Sequence, residues 1–156
     1  MKKTALLLAI TLFTFITTFA QKYKNSSEYK TAAGIKFLDG AGLTLKHFLN
    51  DKAALEGIAY FYGNGTRITG LYEIHFDIAG AEGLKWYVGP GAHIGLYQNR
   101  YRGGGTFIGI DGVLGLDYKI KNAPLNLSLD WQPSFEFGDL RGFVGSWGGF
   151  ALRYTF

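Results

Sequence analysis

Thirteen consecutive residues, Leu125 to Phe137, alternate between apolar and polar without a break. Leu125, Leu127, Leu129, Trp131, Pro133, Phe135 and Phe137 hold one phase; Asn126, Ser128, Asp130, Gln132, Ser134 and Glu136 hold the other. A half-apolar sequence gives such a run by chance roughly once in several thousand windows. Successive side chains of a strand point to opposite faces, so the segment is a strand with one apolar and one polar face. The rest of the chain must supply strands that continue both faces.

It does so with the same period. Leu84–Gln98 sets Leu84, Trp86, Val88, Pro90, Ala92, Ile94 and Leu96 against Lys85, Tyr87, Gly89, Gly91, His93, Gly95 and Tyr97. Thr106–Ile120 opposes Ile108, Ile110, Leu114, Leu116 and Tyr118 to Gly109, Asp111, Gly115, Asp117 and Lys119. Arg67–Ile78 opposes Ile68, Tyr72, Ile74 and Phe76 to Arg67, Thr69, Glu73, His75 and Asp77. Ala32–Leu38, Ala41–Leu49, Ala53–Tyr62 and Val144–Phe156 complete eight expected strands. The links between them are short and each holds Gly, Asn or Asp, residues that tolerate turn dihedrals. Short links join antiparallel neighbours, and eight such strands close into an all-β, eight-stranded antiparallel up-and-down barrel. Pro90 lacks an amide for the ladder, so a bulge, which would shift the phase of half its strand, or irregular pairing is expected there.

The N-terminus reads differently. Met1-Lys2-Lys3, the uncharged apolar run Ala5–Ile16 and the small-x-small end Thr18-Phe19-Ala20 form the pattern of a secretory signal peptide, cleaved after Ala20. Residues 21–30 read as a polar lead and 31–156 as the barrel. Removing Lys2 and Lys3 from the 16 bases leaves 14 against 12 acids, nearly neutral and scattered singly, which excludes a nucleic-acid footprint. The absence of Cys excludes disulfides, thiol chemistry and Cys-based zinc sites, and no cofactor is expected.

Alternation leaves two polarities open. A soluble lipid-binding barrel is apolar inside; an outer-membrane barrel is apolar outside and polar inside. Three features favour the transmembrane form. The polar face is rich in Gly, as a crowded lumen requires and a solvated surface does not. That face carries balanced charge, with Lys36, Lys46, Arg67, Lys85, Lys119 and Arg153 against Glu56, Glu73, Asp77, Asp111, Asp117, Asp130 and Glu136. Buried charges must be paired. The strands also reach the length that a tilted membrane-spanning strand needs. A lumenal network of Arg67, Glu73, Asp77, Asp111, Asp117 and Arg153 follows as the expectation.

Phe150, Leu152, Tyr154 and the terminal Phe156 lie on one face of the last strand. This ending resembles the C-terminal signal by which bacterial outer-membrane barrels are recognised for assembly. The segments Gly-Leu-Thr-Leu-Lys-His-Phe-Leu (42–49), Thr-Gly-Leu-Tyr-Glu (69–73), Leu-Lys-Trp-Tyr-Val-Gly-Pro-Gly-Ala-His (84–93), Gly-Ile-Asp-Gly-Val-Leu-Gly-Leu-Asp-Tyr-Lys (109–119) and Pro-Leu-Asn-Leu-Ser-Leu-Asp-Trp-Gln-Pro-Ser (124–134) resemble small outer-membrane proteins of the Bacteroidetes group. The architecture is similar to the transmembrane domain of outer membrane protein A, without its soluble domain. The resemblance implies a bacterial outer-membrane location, contact with outer-membrane lipids and lipopolysaccharide, passage through periplasmic chaperones and the barrel-assembly machinery, and a monomer.

Chemistry is sparse. A lipid A-modifying enzyme, the alternative reading, needs a His and a Ser close together at one rim. His47 and Ser146 share the apolar face but belong to opposite rims. His75 and His93 face the lumen on neighbouring strands, where a hydrogen-bonded filling pair is expected rather than a relay or a metal site. Gly89-Pro90-Gly91 and Gly103-Gly104-Gly105 precede no helix and cannot cradle phosphate. Arg100 and Arg102 are placed on an external loop. The function expected is structural or interactional, through lipid and short external loops around a plugged lumen; the enzyme and a periplasmic lipid-binding barrel are the alternatives.

Overall fold

The computed structural model describes residues 29–37, 40–63, 65–99, 103–137 and 142–156. The signal-peptide segment, residues 21–28 of the lead, and Arg100 and Arg102 lie outside the described residues. Ten strand segments run in chain order: β1 Thr31–Phe37, β2 Ala41–Phe48, β3 Ala53–Tyr62, β4 Gly65–Asp77, β5 Leu84–Asn99, β6 Gly103–Lys119, β7 Leu125–Trp131, β8 Ser134–Phe137, β9 Phe143–Val144 and β10 Gly148–Thr155. Each strand from β1 to β6 pairs antiparallel with the next. β7 and β8 both pair with β6, and they keep one register, with Leu114 opposite Trp131 and Asp111 opposite Ser134. They form a single stave, followed by a second made of β9 and β10. Pairing of β10 with β1 shuts the wall. The result is a closed, eight-stranded antiparallel barrel.

Proline interrupts this wall without displacing it. Leu71 faces Gly91 and Ile74 faces Val88, so β4 and β5 hold the same register on both sides of Pro90, although Tyr72 and Glu73 have no ladder partners. Of the two expected departures the irregular pairing is present and the bulge is not, so Ile94 still faces outward while His93 is buried. The missing amide belongs to one ladder only; on the other side Pro90 sits opposite Gly112 in regular pairing with β6. Gly89 makes the detour feasible, because a Cβ there would overlap the Tyr72 carbonyl. Pro133 likewise separates β7 from β8, and its carbonyl accepts from Gly112 N at 2.8 Å.

The bulge lies elsewhere. Trp131 pairs with Gly148 and Ser134 with Val144, so the last stave carries one extra residue over 145–147. The strand expected to run unbroken from Val144 is split there. Gly148 and Gly149 have φ of 143° and 137°, a conformation open to glycine and costly for other residues. The distortion turns Trp147 toward the lumen, against Tyr60 at 5.6 Å and Tyr62 at 5.8 Å between ring centroids.

The two phases have opposite environments. Large apolar side chains cover the outer wall, with Leu43 60% exposed, Leu129 58% and Ile110 56%. Lys36, Lys46, Arg67 and Arg153 point inward and are 0% exposed.

Candidate functional site

The lumen holds two ionic clusters with an apolar layer between them. Strands β1, β2, β3, β4, β6, β7 and β10 build the first, at the end where β1 begins. Arg153 is its centre. Its Nε donates to Thr44 Oγ1 at 3.1 Å, and Nη1 donates to Ser128 Oγ at 2.8 Å and Asn126 Oδ1 at 3.1 Å. Nη2 pairs with Glu56 Oε1, which also accepts from Thr44 Oγ1 at 2.6 Å. Lys46 Nζ stands 2.8 Å from Glu73 Oε2, 3.1 Å from Asp117 Oδ2 and 3.5 Å from Glu56 Oε2. Lys36 Nζ donates to Asp130 Oδ2 at 2.5 Å, and the same oxygen accepts from the Tyr87 hydroxyl at 2.7 Å. A buried guanidinium has five N–H donors and no other way to satisfy them, which explains why three strands turn polar side chains toward Arg153.

The second cluster lies toward the opposite end. Arg67 Nη2 pairs with Asp111 Oδ1, and Arg67 Nε donates to Thr69 Oγ1 at 3.2 Å. His93 Nδ1 is 2.9 Å from Asp111 Oδ2 and 3.0 Å from Arg67 Nη2. Glu136 Oε1 stands 3.9 Å from both Arg67 Nη1 and His93 Nε2. The Trp147 ring covers the guanidinium of Arg67 at 4.2 Å.

Between the clusters pack Ile58, Tyr60, Leu71, Tyr87 and Val113, with Trp147 against them. Tyr87 borders the first cluster, its ring 4.2 Å from Lys46 Nζ and stacked on His75 at 4.9 Å. Trp147 borders the second. The layer's members occupy the polar phase of their strands, which is the one signal in the sequence that could have revealed them: Leu71 falls between Thr69 and Glu73, and Val113 between Asp111 and Gly115.

At the terminal end Tyr29, Phe48, Lys85, Asp117 and Lys119 line a mouth cavity of about 280 Å³. The Tyr29 hydroxyl donates to Asp117 Oδ2 at 3.0 Å. Burial, with the Asp117 carboxylate adding to it, pushes the phenol well above its ordinary value, so it remains a donor.

With this geometry in view, the solved structures offer one useful likeness. The chain matches the N-terminal β-barrel domain of Pseudomonas aeruginosa OprF with a TM-score of 0.63. The two share a fold. The match covers 83% of this chain and 100% of that domain at 16% identity, which bears on architecture and not on activity. No protein-family model and no curated protein matches the chain.

Of the six residues expected in one lumenal network, the structure brings Glu73, Asp117 and Arg153 to the first cluster and Arg67 and Asp111 to the second. Asp77 belongs to neither. Its side chain is 81% exposed where β4 ends, and it stands 3.4 Å from Lys85 Nζ. Alternation put Asp77 in the inward phase, but the wall stops at that residue and water solvates it. Glu56, Lys46, Lys36 and Asp130 are as central as the other five, although their inward phase alone did not single them out. His75 and His93 do not pair with each other: His75 sits opposite Tyr87, and His93 opposite Thr69, six residues away along β4. Phe150, Leu152 and Tyr154 face outward, and Phe156 meets Tyr154 edge-on at 5.1 Å. Among the described residues no group of three or more His, Asp and Glu is arranged to hold a metal ion.

Proposed function

We propose that this chain is an integral protein of a bacterial outer membrane, exported through a cleaved signal peptide at residues 1–20. Its lumen is filled by its own side chains, and it acts as a monomer through contacts with lipid and short external loops. One observation carries the reading: apolar side chains line the outside of the wall while lysines, arginines and carboxylates are buried inside it. Water outside the barrel would leave that apolar surface exposed far beyond the few hundred Å² usual for a soluble monomer. In hydrocarbon the same arrangement is favourable, because a closed barrel leaves no strand edge unpaired. Outer-membrane phospholipid and lipopolysaccharide are the partners in place, with periplasmic chaperones and the barrel-assembly machinery acting during biogenesis. A structural role fits the side chains better than lipid A chemistry does. His47 is engaged with Thr31 Oγ1 at 2.8 Å near one rim, while Ser146 lies in the β9–β10 link toward the other.

Single cysteines at Ile68, Ile110 and Leu129 test the polarity. In intact membranes they should react with lipid-soluble maleimides and resist charged ones. Ready labelling by the charged reagent at all three would show a soluble barrel.

A further inference from the structure

Glycine weakens a strand interior unless something must come close to its main chain. Several wall glycines have that reason within the protein. A Cβ at Gly34 or Gly89 would strike the main chain of the next strand, and one at Gly95, Gly109 or Gly115 would strike a lumenal side chain. Gly57 and Gly70 have no such reason. Both face outward, and a Cβ at either would meet no atom within 4 Å. They stand opposite each other in the β3–β4 ladder. The pair floors a groove of about 520 Å³ in the outer wall, lined also by Leu55, Tyr72, Pro90 and Gly91. The depth of this groove identifies what fills it. Leu55 precedes Gly57 on β3 and Tyr72 follows Gly70 on β4, so the groove extends from the glycines toward the terminal end. Further that way, β4 and β5 set Ile74 opposite Val88 and then Phe76 opposite Trp86, whose rings stack at 4.4 Å. Tryptophan gathers at the headgroup level of a membrane, and β4 ends one residue later at the exposed Asp77. From Phe76 to Gly70 the strand advances about 20 Å, which is about 15 Å of depth at a tilt of about 40°. That is half of a hydrocarbon core of about 30 Å. Headgroups do not reach so deep, whereas a hydrocarbon chain rooted beside Phe76 and Trp86 does.

We propose that this groove seats one acyl chain of a phospholipid from the leaflet at the terminal end of the barrel, the periplasmic leaflet of an outer membrane. The proposal rests on the membrane reading above. A chain in the groove touches the wall on its floor and on both flanks, whereas a chain elsewhere touches it on one side. Each further contact adds dispersion energy, so this lipid stays when its neighbours exchange. A second copy of the protein fits the groove less well. In a two-fold contact centred there, recess would face recess, and two convex walls would meet only along a line.

The full chain, refolded in vesicles of phosphatidylethanolamine and phosphatidylglycerol and moved to mild detergent for native mass spectrometry, should retain one phospholipid per barrel. Gly57→Leu combined with Gly70→Leu places both new side chains in open space. This variant should keep the heat-modifiable gel band of a folded barrel and lower the lipid-bound fraction at least about tenfold. Gly57→Ala with Gly70→Ala raises the floor by one methyl on each strand and should lower it about threefold, which keeps the test open should the leucines hinder folding. Equal retention by wild type and variants, or a wild type that keeps no lipid, would overturn the proposal. So would a wild-type dimer that the leucines dissolve, which would give the groove to a second copy, or displacement of the phospholipid by added lipopolysaccharide. The maleimide pattern at Ile68, Ile110 and Leu129 is independent of all these outcomes, so failure of the groove and failure of the membrane reading are told apart.

Discussion

Arg153 makes more of the barrel than any other side chain, because it acts across the seam. It stands on β10, bonds to Asn126 and Ser128 on β7, and passes over β1 to reach Thr44 on β2 and Glu56 on β3. Replacing it by methionine should cost about 3–5 kcal/mol, the usual penalty for orphaning a buried charge partner. Lysine should recover little of that, since one ammonium cannot serve acceptors on both flanks. Asp77→Asn offers the contrast: an exposed pair contributes about 0–1 kcal/mol. Urea unfolding in vesicles, followed by tryptophan fluorescence, measures all three. None of these partnerships has a local signal. Arg153 and Glu56 are 97 residues apart, and which inward residues meet across a lumen depends on the tilt and stagger of the whole wall.

At the scale of strands, the closing ladder between β1 and β10 leaves no room for error. Gly34 pairs with Arg153, and a Cβ there would overlap the Leu152 carbonyl and Arg153 Cα, which are main-chain atoms that cannot swing aside. Gly34→Val should therefore prevent closure, leaving a chain whose gel mobility no longer changes on heating. Folded wild type should keep the compact, heat-modifiable band. Strand identity and face were legible in the sequence wherever period two held, as from Leu125 to Phe137, because one face meets apolar surroundings and the other meets charge. At Pro90 the sequence left a bulge and irregular pairing both open, and the phase is kept for a physical reason: a missing amide interrupts one ladder, and a glycine neighbour absorbs the detour without inserting a residue. The actual bulge, beside Trp147, lies in a stretch of Gly and Ser whose alternation reads the same with one residue more or less.

For the whole molecule, the apolar layer in the lumen matters most. Leu71 and Tyr87 are almost wholly inaccessible, and the polar clusters on either side approach them without crossing. Wild-type protein in planar bilayers should pass no steady current. Leu71→Ser would open a wettable gap beside Tyr87 and should produce flickering conductance if this layer is the barrier; an equally silent variant would assign the block to the ionic clusters instead.

The two wall prolines also bear on the chain before it becomes a barrel. Before it closes, a chain of alternating apolar strands is open to stacking with identical copies, and the run from Leu125 to Phe137 has the composition that favours it. Stacked strands need every amide of every layer. Pro90 and Pro133 withhold one each, well inside two of the long alternating runs, so neighbouring chains cannot stack through them in register. In the finished wall the defect is confined to short breaks in a ladder whose register is unchanged. The same two rings that leave the barrel slightly under-bonded deny identical chains two of the amides that in-register stacking would use.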